Sequence, residues 1–289
     1  MNNGILIINK QKDFTSRDII NKLVHIFNTK KIGHTGTLDP LAEGVLVICI
    51  GKALKMCEEL SSDEKEYIAS VTLGVSTDTL DNDKNATIIK NIPCHKTKEE
   101  IEEALKNFNK TYLQEVPIYS AVKVHGKKLY EYARENKEVE LPKKEVTVKE
   151  IDLLDISYNN NQTQFTFKCK VSKGTFIRSL VRDIGEYLKV PAIMTGLIRT
   201  KQGRFDIKDS YTLQDIEQGN YKLLTIQEVF PNIPQKKLSD KDLFKAKNGA
   251  PIDKFIDGDM FFIVDNDNNL IALYKNEIDK ARAYKMFIL

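Results

Sequence analysis

One aspartate in this sequence is set in a loop suited to close approach by a ligand. Asp39 lies within Gly33-His34-Thr35-Gly36-Thr37-Leu38-Asp39-Pro40-Leu41-Ala42-Glu43-Gly44, and glycines let backbone come near a bound molecule. Between a helical pattern and an apolar strand, a carboxylate on such a loop is placed to face a cleft. The same residues have a second reading: Asp-Pro-Leu-Ala-Glu is a good helix start, with Asp39 as N-cap and Pro40 at the first position. Arg178 is the natural complement. It falls in the first turn of a predicted helix with Arg182 one turn later. The helix dipole disfavours a cation there, so the placement calls for a carboxylate or a phosphate; the alternative is a pair of surface cations. Tyr67 shares a strand face with Ala69, Val71 and Leu73 and reads as a packed core tyrosine. His34 reads equally as a solvent-facing loop residue.

Metal and nucleotide chemistry find no footing. Cys49, Cys57, Cys94 and Cys169 form no CxxC pair, and His95 beside Cys94 has no second ligand pair at usable spacing. Neither GxxxxGK[ST] nor GxGxxG occurs. The expectation is no metal, no cofactor and no disulfide framework.

These candidates need elements to hold them. Gly4 to Asn9 and Val45 to Ile50 read as short buried strands, and Tyr67 to Leu73 and Phe165 to Val171 alternate as half-buried ones. Thr15 or Ser16 caps a helix with Ile19, Ile20, Leu23, Val24 and Phe27 on one face, and Thr97 to Glu100 is a capping box. Thr175 is the expected cap of the Arg178 helix. Pro117 to Val146 is dense in tyrosine and lysine, lacks periodicity and reads as an excursion from the core. Pro231 and Pro234 punctuate the chain before a tail with a small helix, Ser239 to Lys247, and a hairpin, Phe261 to Tyr274. At 289 residues and 41% hydrophobic, the chain is long enough for about two domains. Strands with interspersed helices, without regular βαβ alternation, predict a mixed α+β domain and a small β-rich C-terminal one. No run is long enough to span a membrane, and no signal peptide is visible, so the expected location is the cytoplasm.

The formal charge of +3 conceals an asymmetry. Lys168 to Lys208 carries ten Lys/Arg against three Asp/Glu, a net +7 that leaves −4 elsewhere. Four of the seven arginines (Arg178, Arg182, Arg199, Arg204) fall in this window. Concentrated positive charge suggests a face for a polyanion, and an arginine cluster in a lysine-rich chain suggests work for a planar fork of donors.

The stretch from His34 to Leu46 resembles the bacterial tRNA pseudouridine-55 synthases, whose H-T-G-T-L-D-P-x-A-x-G-V-L signature is met without a break. The resemblance continues in Thr77 to Asp81, in Pro117 to Lys123 with Gly126 to Arg134, in Ser172 to Ser179 and in Leu197 to Phe205. These motifs fall in the family's order and cover most of residues 4–210. The tail from about Lys236 resembles, less specifically, a PUA-type RNA-binding domain. The opening departs from the family's D-K-P-x-G-x-T-S: here it is Asn9-Lys10-Gln11-Lys12-Asp13-Phe14-Thr15-Ser16. Phe176 stands where tyrosine is frequent, and Asn136 and Lys84 where glycine is.

The resemblance implies a pseudouridine synthase catalytic domain over 1–232, mainly antiparallel, with 117–146 as a flexible RNA-clamping insertion and a PUA-like domain over 233–289. It implies an isomerase that breaks the C1′–N1 bond of uridine 55 in the tRNA T-loop and rejoins C1′ to C5. Asp39 would be the essential carboxylate, held by Arg178 through a charge-assisted pair. Tyr67 would stack under the base and serve in deprotonating C5. His34, Lys10, Leu197, Phe176 and Lys123 would bind substrate. The partner would be the T-arm stem-loop, with no nucleotide cofactor, and the enzyme a monomer. The rival reading is a non-catalytic RNA-binding protein, a tRNA folding chaperone or RNP subunit. Keeping both Asp39 and Arg178 argues for the enzyme.

Overall fold

The alternation read at Tyr67 belongs to a strand, Lys65–Leu73, in the middle of a large sheet. A computed structural model describes residues 3–61, 64–84, 86–254 and 258–288. The main sheet runs in the order Gly4–Lys10, Ala42–Ile50, Ala192–Gln202, Lys65–Leu73, Gln162–Val171, Lys143–Asn159 and Thr111–Glu115. Two short strands, Ile32–His34 and Phe205–Asp206, pair at its side. Neighbours are antiparallel except Ala192–Gln202 with Ala42–Ile50, which run parallel. This is the mixed, mainly antiparallel α+β architecture expected.

Helices Ser16–Phe27, Lys98–Asn107 and Ile177–Tyr187 cover one face of the sheet. Ile19, Leu23, Ile101, Leu180 and Ile184 pack there with Leu46, Ala69, Val71 and Phe167. The reverse face has its own core of Ile5, Ile7, Val45, Val47 and Cys49. Val45 to Ile50 of this strand is therefore buried on both sides, which is why it is a continuous apolar run rather than an alternation.

The capping boxes form at Thr15 with Asp18 and at Thr97 with Glu100. Two local expectations are corrected. Asp39 caps no helix: a turn closed by Ala42 N–H donating to the Asp39 carbonyl (3.0 Å) leads straight into a strand. Ala42 to Gly44 pair with Leu197 to Arg199, and this non-local ladder overrides the local helix signal. Thr175 does not cap either. The helix starts at Ile177 with Phe176 in the N-cap position, and Thr175 Oγ1 donates back to the Ser172 carbonyl at 2.9 Å.

Within the 117–146 stretch, a small hairpin (Lys123–Val124 with Lys127–Lys128) leads into a helix, Leu129–Arg134. Asn136, at the position where glycine is frequent, adopts φ of +50°. From Lys143 onward the chain is already part of the main sheet. The tail forms a second sheet, Gln235–Lys237, Met260–Val264, Leu270–Asn276 and Ala281–Met286, with helix Asp240–Lys247. This sheet does not stand apart. Phe262, Leu273 and Phe287 are fully buried in the same apolar cluster as Ile5, Val47, Ala53 and Met56. Lys285 pairs with Glu59 at 2.8 Å beside it.

Candidate active site

Asp39 and Arg178 meet at the wall of a cavity of about 380 Å³. Arg178 Nε lies 3.0 Å from Asp39 Oδ2. The rest of the guanidinium is committed in other directions: Nη1 donates to the Thr79 carbonyl (3.0 Å) and Nη2 to the Tyr119 carbonyl (2.9 Å). The arginine side chain is 7% exposed and the aspartate 37%, so the cation is fixed inside and the carboxylate is presented to the cavity. Three separate segments thus orient one guanidinium, a use of the planar fork that lysine cannot copy.

Asp81 is a site residue that sequence reading did not single out. Its Oδ2 stands 3.7 Å from Arg178 Nη1, and its Oδ1 accepts from Thr79 Oγ1 at 2.6 Å. Burial pushes its carboxyl above the ordinary range, against the pull of Thr79 and Arg178. The Thr77 to Asp81 motif was visible, but nothing local shows that it reaches Arg178.

The loop around Asp39 is pinned from below. Ser16 Oγ, buried at the start of its helix, donates to the Leu38 carbonyl (3.1 Å) and accepts from Leu38 N–H (2.9 Å). Arg199, 1% exposed, donates Nε to the Val45 carbonyl (2.6 Å) and Nη2 to the Gly36 carbonyl (2.9 Å). Gly36 lies close against this arginine: a Cβ there would stand 3.3 Å from Arg199 Nη1, a tight contact.

Tyr67, Leu197 and Phe176 line the cavity beside Asp39 and Arg178. Tyr67 lies opposite Arg199, and Leu197 opposite Ala69, which puts tyrosine and leucine on one face of the sheet. Lys10 is elsewhere. It is fully buried, and its Nζ donates to the carbonyls of Phe14 (2.7 Å), Gln11 (2.9 Å) and Pro40 (3.3 Å). Expected to touch substrate, it instead ties the opening loop to the Asp39 loop, and burial lowers its pKa to about 8. His34 sits just before the lining residue Thr35, its Nδ1 buried and without a partner among the described residues. Burial, then Arg199 and Arg17, hold its pKa below the usual imidazole value. Lys123 is exposed on the small hairpin, immediately past Ser120 to Val122 of the lining.

The arginine window also differs from expectation. Arg182 bonds Glu115 (3.1 Å) and Asp183 (2.7 Å), Arg204 bonds the Val229 carbonyl, and Arg178 and Arg199 are internal. Their forks bind protein groups, because desolvated guanidinium groups require many acceptors. Surface lysines carry the remaining positive charge. Among the described residues no group of three His, Cys, Asp or Glu is placed to hold a metal, and no helix is long and apolar enough to cross a membrane.

The site is an aspartate–arginine pair at the wall of a cavity of ligand-binding size. Residues 24–177 match the TruB family pseudouridylate synthase N-terminal domain, and residues 178–228 the tRNA pseudouridylate synthase B C-terminal domain. The chain belongs to the TruB family. It is 39% identical over 287 residues to tRNA pseudouridine synthase B of Caldanaerobacter subterraneus subsp. tengcongensis, covering 98% of this chain and 99% of that one. It is 41% identical over 255 residues to the protein of the same name from Geobacillus thermodenitrificans, covering 86% and 84%. A chain in the crystal structure of a Cbf5-Nop10-Gar1 complex superposes with a TM-score of 0.70 at 23% identity, over 99% of this chain and 85% of that one, a likeness of fold. By family this chain is an isomerase, a tRNA pseudouridine synthase.

Proposed function

We propose that the chain isomerises uridine 55 in the T-loop of tRNA, with Asp39 as the reacting carboxylate. The observation that carries this is the 3.0 Å Asp39–Arg178 contact on a cavity walled by Tyr67, Leu197 and Phe176. A base inside a folded T-loop must first be extruded, at a cost of a few kcal/mol. Stacking on Tyr67 and contact with Leu197 and Phe176 offset that cost. Then C1′–N1 breaks, the detached base turns, and C1′ bonds to C5. The C5 proton leaves and N1 ends protonated, so the reaction needs no oxidant and no energy source. Asp39 acts by attacking the base, attacking C1′ or removing the 2′-proton. In each route Arg178 keeps the carboxylate oriented, and the Tyr67 phenol stands ready to take part in C5 deprotonation.

The insertion 117–146 serves as a lysine-rich clamp on phosphates, with exposed Lys123 on its hairpin and His34 on the flank for extruded nucleotides. The catalytic domain spans 1–232, and 233–289, with a sheet of its own, is a PUA-like RNA grip. The enzyme works as a cytoplasmic monomer on the T-arm. Tritium release from a C5-labelled T-arm transcript, with the product nucleotide mapped, tests the proposal. Intact RNA binding without release would favour the chaperone reading.

A further inference from the structure

The helix that carries Arg178 begins without a side-chain cap of its own, and its first backbone donor is met from a neighbouring strand. Gln114, 1% exposed on strand Thr111–Glu115, accepts the Phe176 N–H at Oε1 (2.8 Å). Its Nε2 donates to Tyr112 Oη (2.8 Å), and Tyr112 O–H donates to Asp183 Oδ2 (3.1 Å). Asp183 is held in turn by Arg182 at 2.7 Å. The chain of bonds therefore runs from Asp183, within the helix, back to the N-cap residue Phe176. Both ends of the amide are used, each in the sense its chemistry allows.

We infer that Gln114 is a positioning residue for the reaction, setting Phe176 and Arg178 through the Phe176 amide. This rests on the reading of the Asp39–Arg178 cavity given above. Phe176 forms cavity wall, and Arg178 lies two residues further on. A displacement at this point moves both groups relative to Asp39. Misplacement of reacting groups by about 1 Å costs on the order of 100-fold in rate. Without the amide, Phe176 N–H and the Tyr112 hydroxyl are both left half-buried with one partner fewer.

The test is Gln114→Met, which keeps the side-chain length and removes both hydrogen bonds. At a temperature well below the melting points of parent and variant, kcat on T-arm RNA should fall roughly 10-fold or more, with KM within about twofold. Amide hydrogen exchange at Phe176 to Leu180 should quicken while the exchange of strand Lys65–Leu73 stays as in the parent. A kcat within about twofold of the parent overturns the inference, as does unchanged exchange at Phe176. If the methionine variant does not fold, Tyr112→Phe, which cuts the support behind Gln114, should lower kcat about two- to five-fold with KM unchanged; an unaltered kcat overturns it. A parent that converts no uridine sinks the functional reading instead, and the exchange measurement still decides the role of Gln114.

Discussion

Arg178 Nε lies 3.0 Å from Asp39 Oδ2, and the same guanidinium reaches the carbonyls of Thr79 and Tyr119. Asp39 thus faces a cation that is itself immobilised by two other segments. For catalysis such preorganisation matters more than the pair's contribution to stability, because a partly exposed ion pair contributes only about 0–1 kcal/mol.

Asp39→Asn should reduce turnover to below about one per cent of the parent, with T-arm binding and melting temperature largely kept. The amide is isosteric but uncharged, so it loses the function of base or nucleophile. Activity above a few per cent, measured as tritium release, would remove Asp39 from the chemistry.

Arg178→Lys should lose on the order of 100-fold, mainly in kcat. Lysine keeps the charge, but one ammonium cannot bond Asp39 and two carbonyls in the directions the fork serves. Steady-state kinetics on T-arm RNA will show this split. A near-normal kcat would mean that charge alone suffices.

Lys10 gives a pH signature in stability. Its folded pKa is lowered to about 8 from 10.5. Between those values the unfolded chain holds the proton that the folded chain has released, so stability rises with pH. Relative to Lys10→Met, the parent should gain roughly 1–3 kcal/mol from pH 8 to pH 10.5 and show no such trend below pH 7. Urea denaturation across the range measures it, and a flat difference would contradict the buried, proton-shedding ammonium.

Gly44→Ala should damage the site through the sheet. Gly44 has φ of +97°, and a Cβ would stand 2.3 Å from the Arg199 carbonyl oxygen in the parallel pairing. Neither the conformation nor the contact can relax cheaply, so the loss should reach about 1–3 kcal/mol or more. An unchanged melting curve would show that the pairing can open there.

A chain ending at Asn232 should be unstable and aggregate. Phe262, Leu273 and Phe287 bury their side chains in the core on the reverse of the main sheet. At roughly 1.5–3 kcal/mol for each such side chain, their removal takes away a large part of a typical 5–15 kcal/mol stability and uncovers an apolar face. Light scattering and calorimetry of the truncated chain decide this. A soluble protein with an unshifted melting point would show that the tail is dispensable to the fold.

Much of this molecule is legible in its sequence because much of it is locally determined. The Tyr67 strand, the Thr15 and Thr97 helices and the tail hairpin follow from periods of 2 and 3.6 residues and from capping chemistry within four positions. The signature around Asp39 marked the carboxylate, and helix placement showed that Arg178 needed an anion. What those residues meet was decided only in three dimensions. Pro40 and Glu43 promise a helix, yet Ala42 to Gly44 join the sheet because Leu197 to Arg199 offer a ladder there. Lys10 looks like a substrate contact until three carbonyls from two loops enclose it. Arg199 is charged in the sequence and structural in the fold. Asp81 and Gln114 acquire their places from partners far along the chain. A one-dimensional pattern records the propensities of neighbours; desolvation, which makes each buried charge find specific acceptors, acts between residues that only the packed chain brings together.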